Sequence, residues 1–268
     1  MEFFRLGLFE NPYTDAAAAD AAVNTEESRA LAYRAHQESV VLLKNHDSVL
    51  PLTAEKLAGR KVYVEMMMRT EYTKEEKENL PMTGIEITPE QTIAAFAKAV
   101  REDHPDWTFV NDYHDADVAL LLLKPTSGSY FAATEGYLEL NLCKETGIDV
   151  EHIRAIREAV SQVVVHVNLN LPYLLGNVEP LADAVTVGFD TFSKAAIDVI
   201  SGAAEPVGRL PITLPGSDAA IAVDDSGVCA SPNDVPGYDK AKYKTDGLTY
   251  AYKDADGGEY LYGFGLTY

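Results

Sequence analysis

An α/β architecture with a mainly parallel sheet covered on both faces is predicted from about residue 60 to residue 202. Three observations predict it. Short apolar or β-branched runs alternate with amphipathic segments, the pattern of strands joined by crossover helices. Two of the runs, Ala116 to Leu123 and Gln162 to Asn168, are apolar along most of their length, as strands buried on both faces must be. Several helix-like segments also carry the residues that start or stop helices.

The elements follow in order. Thr25 stands ready as a cap before Glu26 to Lys44, where Leu31, Ala35, Leu42 and Leu43 recur near one face, so a long helix is expected there. Lys61 to Met66 reads as a strand. Thr88 and Pro89 open a helix through Ile93, Phe96, Ala97 and Val100, with proline at a favoured first-turn position. Trp107 to Asn111 is a short strand and Ala116 to Leu123 a buried one. A helix built on Ile153, Ile156 and Val160 spans Val150 to Ser161. Strands follow at Gln162 to Asn168 and Ala184 to Phe189, then a helix from Ser193 to Ser201 that Gly202 ends. Gly208-Arg209-Leu210-Pro211-Ile212-Thr213-Leu214-Pro215 is extended, since each proline biases its predecessor toward β or polyproline geometry. Gly, Pro, Asp and Tyr then dominate to Tyr268, and the tail's aromatics are expected to pack along a surface. Three regions are expected: a linker and first helix (1–52), an α/β sandwich (53–215) and an irregular C-terminal extension packed on it (216–268).

The opening run Leu8-Phe9-Glu10-Asn11-Pro12-Tyr13, with Glu38 to Asn45 and Leu50-Pro51-Leu52 after it, reads as a join between domains. The chain is therefore expected to be one part of a larger unit. With 268 residues, 47% of them apolar and 24% charged, it can bury a sizeable core. No apolar run approaches the roughly 18 residues that cross a bilayer, and no secretory signal is visible. A net charge of −20 argues against nucleic-acid and membrane partners and is compatible with a neutral ligand such as a sugar. Cys143 and Cys229 fit neither a metal spacing nor a disulfide framework. They read as buried free thiols of a reducing compartment, which favours the cytoplasm.

The familiar nucleotide and hydrolase motifs are missing. The strand at Val62 to Glu65 runs into Met66-Met67-Met68-Arg69, with none of the glycines a dinucleotide fold needs. No phosphate-binding loop occurs, and Ser127-Gly128-Ser129 lacks the frame of a nucleophile elbow. The six histidines show no metal-ligand spacing. His166, inside an apolar strand, reads as a hydrogen-bonded core residue, Met66 to Met68 as strand-end packing, and Asp112 to Asp117 as a solvated turn. What remains is Lys124 to Leu142, a long Gly-containing aromatic segment with two carboxylates, Glu135 and Glu139. It follows an apolar strand at the carboxyl end, where open α/β sheets bind ligands. A surface loop with merely solvated glutamates is the alternative, and both readings stand at this point.

The chain resembles the C-terminal domain of a family 3 glycoside hydrolase. The resemblance rests on Leu8-Phe-Glu-Asn-Pro-Tyr, Glu38-Ser-Val-Val-Leu-Leu-Lys-Asn with Leu50-Pro-Leu, Gly208-Arg-Leu-Pro-Ile-Thr-Leu-Pro and Gly263-Phe-Gly-Leu-Thr-Tyr, in family order and spacing over nearly the whole chain. It implies a three-layer α/β/α sandwich on a mainly parallel six-stranded sheet, preceded by a linker helix and followed by an irregular tail. It further implies a retaining, exo-acting β-glycosidase without a cofactor, whose nucleophile lies on a TIM-like barrel in another domain or subunit. A β-linked glycoside would bind at the interface with that barrel; the alternative is a non-catalytic scaffolding or carbohydrate-binding module. Without the barrel the domain is expected to be inactive, and its exposed docking face would favour a homo-oligomer. The family's acid/base is commonly a glutamate on the Lys124 to Leu142 loop, which makes Glu135 the first candidate and Glu139 the second. The family's Gly-Asp-Arg continuation is replaced here, since Tyr137-Leu138 follows Glu135-Gly136. Tyr130 and Phe131 are candidate walls for a sugar ring, because aromatic faces suit the apolar face of a pyranose; the alternative is that they anchor the loop.

Overall fold

The computed structural model describes residues 1–13, 15–23, 25–71, 88–127, 139–217, 220 and 250–268. The chain divides into two compact units, Met1–Ala35 and His36–Tyr268. The first holds two short helices, α1 (Glu2–Arg5) and α2 (Ala16–Ala22), the latter capped by Asp15 on the Ala18 amide. The start of α3 (Glu26–Glu38) also lies there, and Thr25 caps it as expected by accepting from the Ser28 amide.

The second unit is built on six strands: β1 (Val41–Asn45), β2 (Lys61–Met68), β3 (Thr108–Val110), β4 (Val118–Lys124), β5 (Gln162–Leu169) and β6 (Ala184–Phe189). Their order across the sheet is β1-β6-β5-β4-β2-β3, parallel throughout except that β1 runs antiparallel to β6. The central strands β4 and β5 are buried nearly end to end. Helices α4 (Pro89–Asp103) and α6 (Ser193–Ser201) cover one face, packing Phe96, Val100, Ile197 and Ile200 on Val62, Val64, Leu120, Leu122 and Val164. Helix α5 (Val150–Ala159) covers the other, with Ile153 and Ile156 against Ala119, Leu121, Val163, Val165 and Val167. The result is an α/β/α sandwich on a six-stranded, mainly parallel sheet.

Local chemistry explains the helix ends. Thr88 and Gln91 form a reciprocal capping box at the start of α4, with Pro89 in the first turn. Asp149 caps α5 by accepting from the His152 amide. Gly202 ends α6 in the left-handed region, at φ 87°.

One expected element is corrected. The helix does not run from Glu26 to Lys44; it stops at Glu38, and Val41–Asn45 is strand β1. The reason is burial. Val40, Val41, Leu42 and Leu43 are all fully enclosed, and four consecutive buried residues suit a strand covered on both faces rather than one stripe of a helix. The Ser39 hydroxyl donates to the His36 carbonyl, satisfying one of the helix's last acceptors at the break.

The tail closes the β1 edge. The Leu266 amide donates to the Leu42 carbonyl at 2.8 Å, and Leu210 exchanges bonds with Gly263 and Phe264. A strand edge that would otherwise present free amides and carbonyls is thereby covered. Gly208 is required there, because a Cβ would stand 2.3 Å from the Val40 carbonyl oxygen. The tail's aromatics divide between core and surface: Tyr260 is fully buried, whereas Tyr262 is exposed. Beneath the tail, Lys44 pairs with Glu179 at 2.7 Å, their side chains 11% and 2% exposed, and the Tyr252 hydroxyl donates to the same carboxylate at 2.6 Å. Burial, then the Glu179 contact, pushes the Tyr252 phenol up from its ordinary value.

Candidate functional site

The sheet order reverses between β2 and β4: β3 lies outside β2, and β5, β6 and β1 extend from the far side of β4. Open α/β sheets bind ligands at the carboxyl ends of strands flanking such a reversal. A cavity of about 490 Å³ opens there, lined by Met68, Arg69, Thr70 and Glu71 at the end of β2 and by Lys144, Glu145, Gly147 and Asp149 before α5.

Hydrogen bonds and one close approach bring these distant segments together. The Thr126 amide, just past β4, donates to the Thr146 carbonyl at 3.0 Å. The Thr146 hydroxyl accepts from the Cys143 amide and donates to the Asn141 carbonyl, both at 3.0 Å, closing a single helical turn at Lys144–Thr146. Gly147 follows at φ 87°, and a Cβ on it would lie 2.1 Å from the Arg69 amide nitrogen. Only glycine fits such a contact, so the turn seats its backbone on the end of β2.

The charges around the cavity are largely compensated. Lys144 reaches Asp149 at 3.0 Å, and that hydrogen bond holds the Asp149 carboxyl below the usual carboxylate range. The Cys143 thiol, pushed up by burial, hydrogen-bonds Glu145 and lowers that carboxyl. Toward the middle of β2, the Tyr63 hydroxyl donates to Glu65 Oε2 at 2.9 Å, and His152 Nε2 meets the same oxygen at 3.0 Å. Tyr113 packs edge-on against both rings. Burial and the Glu65 charge push the Tyr63 phenol up, so it stays a proton donor. This clasp ties α5 to β2, just short of the cavity.

Of the residues singled out from the sequence, Glu135, Tyr130 and Phe131 lie outside the described residues. Both ends of their segment are described. Ser127 is buried beyond β4, and Glu139 is half-buried, its Oε1 accepting from the Asn141 amide and side-chain amide, both at 2.8 Å. Leu140 and Leu142 are then pinned through their carbonyls by the Leu174 amide and the Asn177 side chain. Arg69, Glu71, Lys144 and Asp149 also line the site, and no sequence motif singles them out. One local signal, a glycine followed by a capping aspartate in Gly147-Ile148-Asp149, marks the turn before α5 but not its meeting with the end of β2. His166 is the buried core residue expected, with Nδ1 2.9 Å from the Thr186 hydroxyl and Nε2 without a partner among the described residues.

Comparison with known proteins is decisive for the family. Residues 40–268 match the family model described as the glycosyl hydrolase family 3 C-terminal domain. The chain belongs to glycosyl hydrolase family 3. Its similarity to β-glucosidase C of Emericella nidulans is 29% identity over 225 residues, covering 82% of this chain and 30% of that protein. A Formosa agariphila protein named as a β-xylosidase is 25% identical, covering 99% of this chain and 34% of its own length. The fold is shared with the Listeria innocua β-glucosidase solved with isofagomine, at a TM-score of 0.62 and 22% identity, over 99% of this chain and 38% of that one. The chain thus spans about a third of the length of the relatives it matches. Within the family 3 domain, the motif residues Val40 to Asn45 form β1 and its approach, and Gly263 to Tyr268 close over that strand. They lie on the sheet edge away from the β2–β4 reversal.

Proposed function

We propose that this chain is the C-terminal domain of a retaining, exo-acting β-glycosidase, supplying one wall of the active site and its general acid/base. The observation that carries the reading is where the Lys124 to Leu142 segment starts and ends. It leaves the carboxyl end of β4 at the sheet reversal and returns at Glu139, ahead of the turn that lines the cavity. Retaining hydrolysis requires two carboxyl groups roughly 5 Å apart, one attacking the anomeric carbon and one protonating the departing oxygen. Glu135 is assigned as the proton donor, which then takes a proton from the incoming water. Glu139 is the second candidate, but its Oε1 already holds Asn141, which suits a structural part better. Tyr130 and Phe131 are assigned as walls for the sugar ring. The nucleophile is assigned to a TIM-like barrel in the two-thirds of family length that this chain does not match.

The purified chain should therefore fail to turn over an aryl β-glucoside, and measurable turnover would sink that part of the proposal. Combined with its barrel, Glu135→Gln should lower kcat by roughly 10²–10⁴, the usual worth of a general acid/base, while Glu139→Gln should leave most activity. Equal losses in the two variants, or none, would remove Glu135 from the assignment.

A further inference from the structure

At the carboxyl end of β6 the chain presents an exposed, stacked aromatic two residues after an exposed carboxylate. Phe192 is 55% exposed although His36 stacks on it at 3.8 Å between ring centroids and 27° between planes. With one ring face against the imidazole, the exposure belongs to the other face and the edges. Two residues earlier, Asp190 is exposed and held at φ 50°, a left-handed conformation that non-glycine residues adopt at some cost.

Buried polar groups fix this geometry. Asn168, near the end of β5, grips the Thr191 backbone twice, its Nδ2 donating to the carbonyl and its Oδ1 accepting from the amide, each at 3.1 Å. The Thr191 hydroxyl accepts from the Phe189 amide at 3.1 Å and meets the Ser39 hydroxyl at 3.2 Å, and Ser39 in turn donates to the His36 carbonyl. Gln37 adds a 2.7 Å bond to Asp198 on α6. Thr191 is buried while its neighbours on either side are displayed. The left-handed backbone at Asp190 is thus held by its surroundings, with Asp190 and Phe192 exposed on either side of the buried Thr191.

We propose that Asp190 and Phe192, with His36 behind the ring, form a carbohydrate contact separate from the segment bearing Glu135. Phe192 stacks against the apolar face of a neutral pyranose, and the Asp190 carboxylate accepts hydrogen bonds from its hydroxyls. A net charge of −20 disfavours a second copy of this acidic chain as the occupant. The choice of a sugar rests on the glycosidase reading; the rigidity and exposure of the platform do not.

The test is an amide-resolved NMR titration of the full chain with methyl β-D-glucopyranoside and, separately, methyl β-D-xylopyranoside. The expected result is saturable shifts at Asp190, Thr191, Phe192 and Ser39 with at least one of the two. Phe192→Ala should weaken binding roughly tenfold or more, as expected for losing an aromatic partner and its buried area. Phe192→Tyr should retain binding, and Asp190→Asn should weaken it by a smaller factor. Asp190→Gly, which relieves the left-handed strain, should fold normally and still bind less. Shifts unchanged by Phe192→Ala, or absent from residues 190–192 with both sugars, would overturn the proposal. So would a self-association abolished by Phe192→Ala and indifferent to sugar, because the patch would then be a contact between copies. Glu135→Gln should leave the titration unaltered, so the catalytic assignment and this contact can fail separately.

Discussion

The β1 edge and the β2–β4 reversal are built in opposite ways. At the edge, family motif residues are buried, bonded and closed over by the tail: Leu42 to Leu266, Val40 against Gly208, Lys44 to Glu179 and Tyr252. At the reversal, the cavity is open and its walls come from segments joined by a few hydrogen bonds and one glycine contact. The stretches that identify the family hold the fold, while the cavity at the reversal is assembled elsewhere. Damage to the edge should therefore appear as lost stability, and damage to the reversal as lost geometry in an otherwise folded chain.

The largest expected effect is at the edge. Glu179→Gln leaves Lys44 buried without its counter-charge, and breaking one side of such a pair typically costs about 3–5 kcal/mol. Denaturant unfolding should show a lower midpoint with an unchanged slope. The triple variant Lys44→Met, Glu179→Leu, Tyr252→Phe, which also removes the hydroxyl that donates to Glu179, should recover much of the loss, since a buried pair can often be replaced by apolar side chains. If the single variant were neutral, the edge would not be the region that stabilises the fold.

A smaller effect is expected at Gly147. Its replacement by alanine forces a Cβ into the Arg69 backbone and demands a left-handed φ from a non-glycine residue. Overpacking of this kind typically costs roughly 1–3 kcal/mol, and amide shifts should concentrate at Arg69, Thr70 and Lys144. Shifts spread over the whole sheet would mean that the turn supports the core rather than the cavity.

This contrast also governs what the sequence could reveal. Strands β4 and β5 were legible because burial on both faces demands an unbroken apolar run, and α4 and α6 because Thr88-Pro89 and Gly202 mark their ends. Strand β1 is hidden in the sequence because Glu26 to Glu38 is a true helix, and Leu42 and Leu43 extend its spacing by chance; the break depends on tertiary burial of Val40 to Leu43. The cavity was illegible for another reason. Arg69 and Gly147 are far apart in sequence and meet only through parallel pairing of β2 with β4 and the fold-back of Thr126 on Thr146. No local pattern encodes that meeting. The catalytic assignment to Glu135 came from resemblance, and the geometry contributes the anchoring of its flanks.

The effect that is smallest at neutral pH concerns His166, whose β5–β6 position lies between the two regions and whose influence should grow only as the pH falls. Burial depresses its pKa from 6.5 to about 3, so the folded chain keeps a neutral imidazole where the unfolded chain takes up a proton. The sign follows from linkage: the unfolded state binds more protons between those values, so stability falls as pH drops through that window and is fully present above about 6.5. A single proton gives a slope of at most about 1.4 kcal/mol per pH unit. His166→Leu alone would strand the Thr186 hydroxyl, so the informative variant is His166→Leu with Thr186→Val, which removes both partners of the 2.9 Å bond. From pH 7.5 down to pH 4, unfolding midpoints of the parent chain should fall faster than those of the variant, because only the parent carries this histidine and the acidic side chains contribute equally to both. Parallel curves across that range would show that His166 gains no proton on unfolding, and that its burial has no bearing on the acid stability of the sheet.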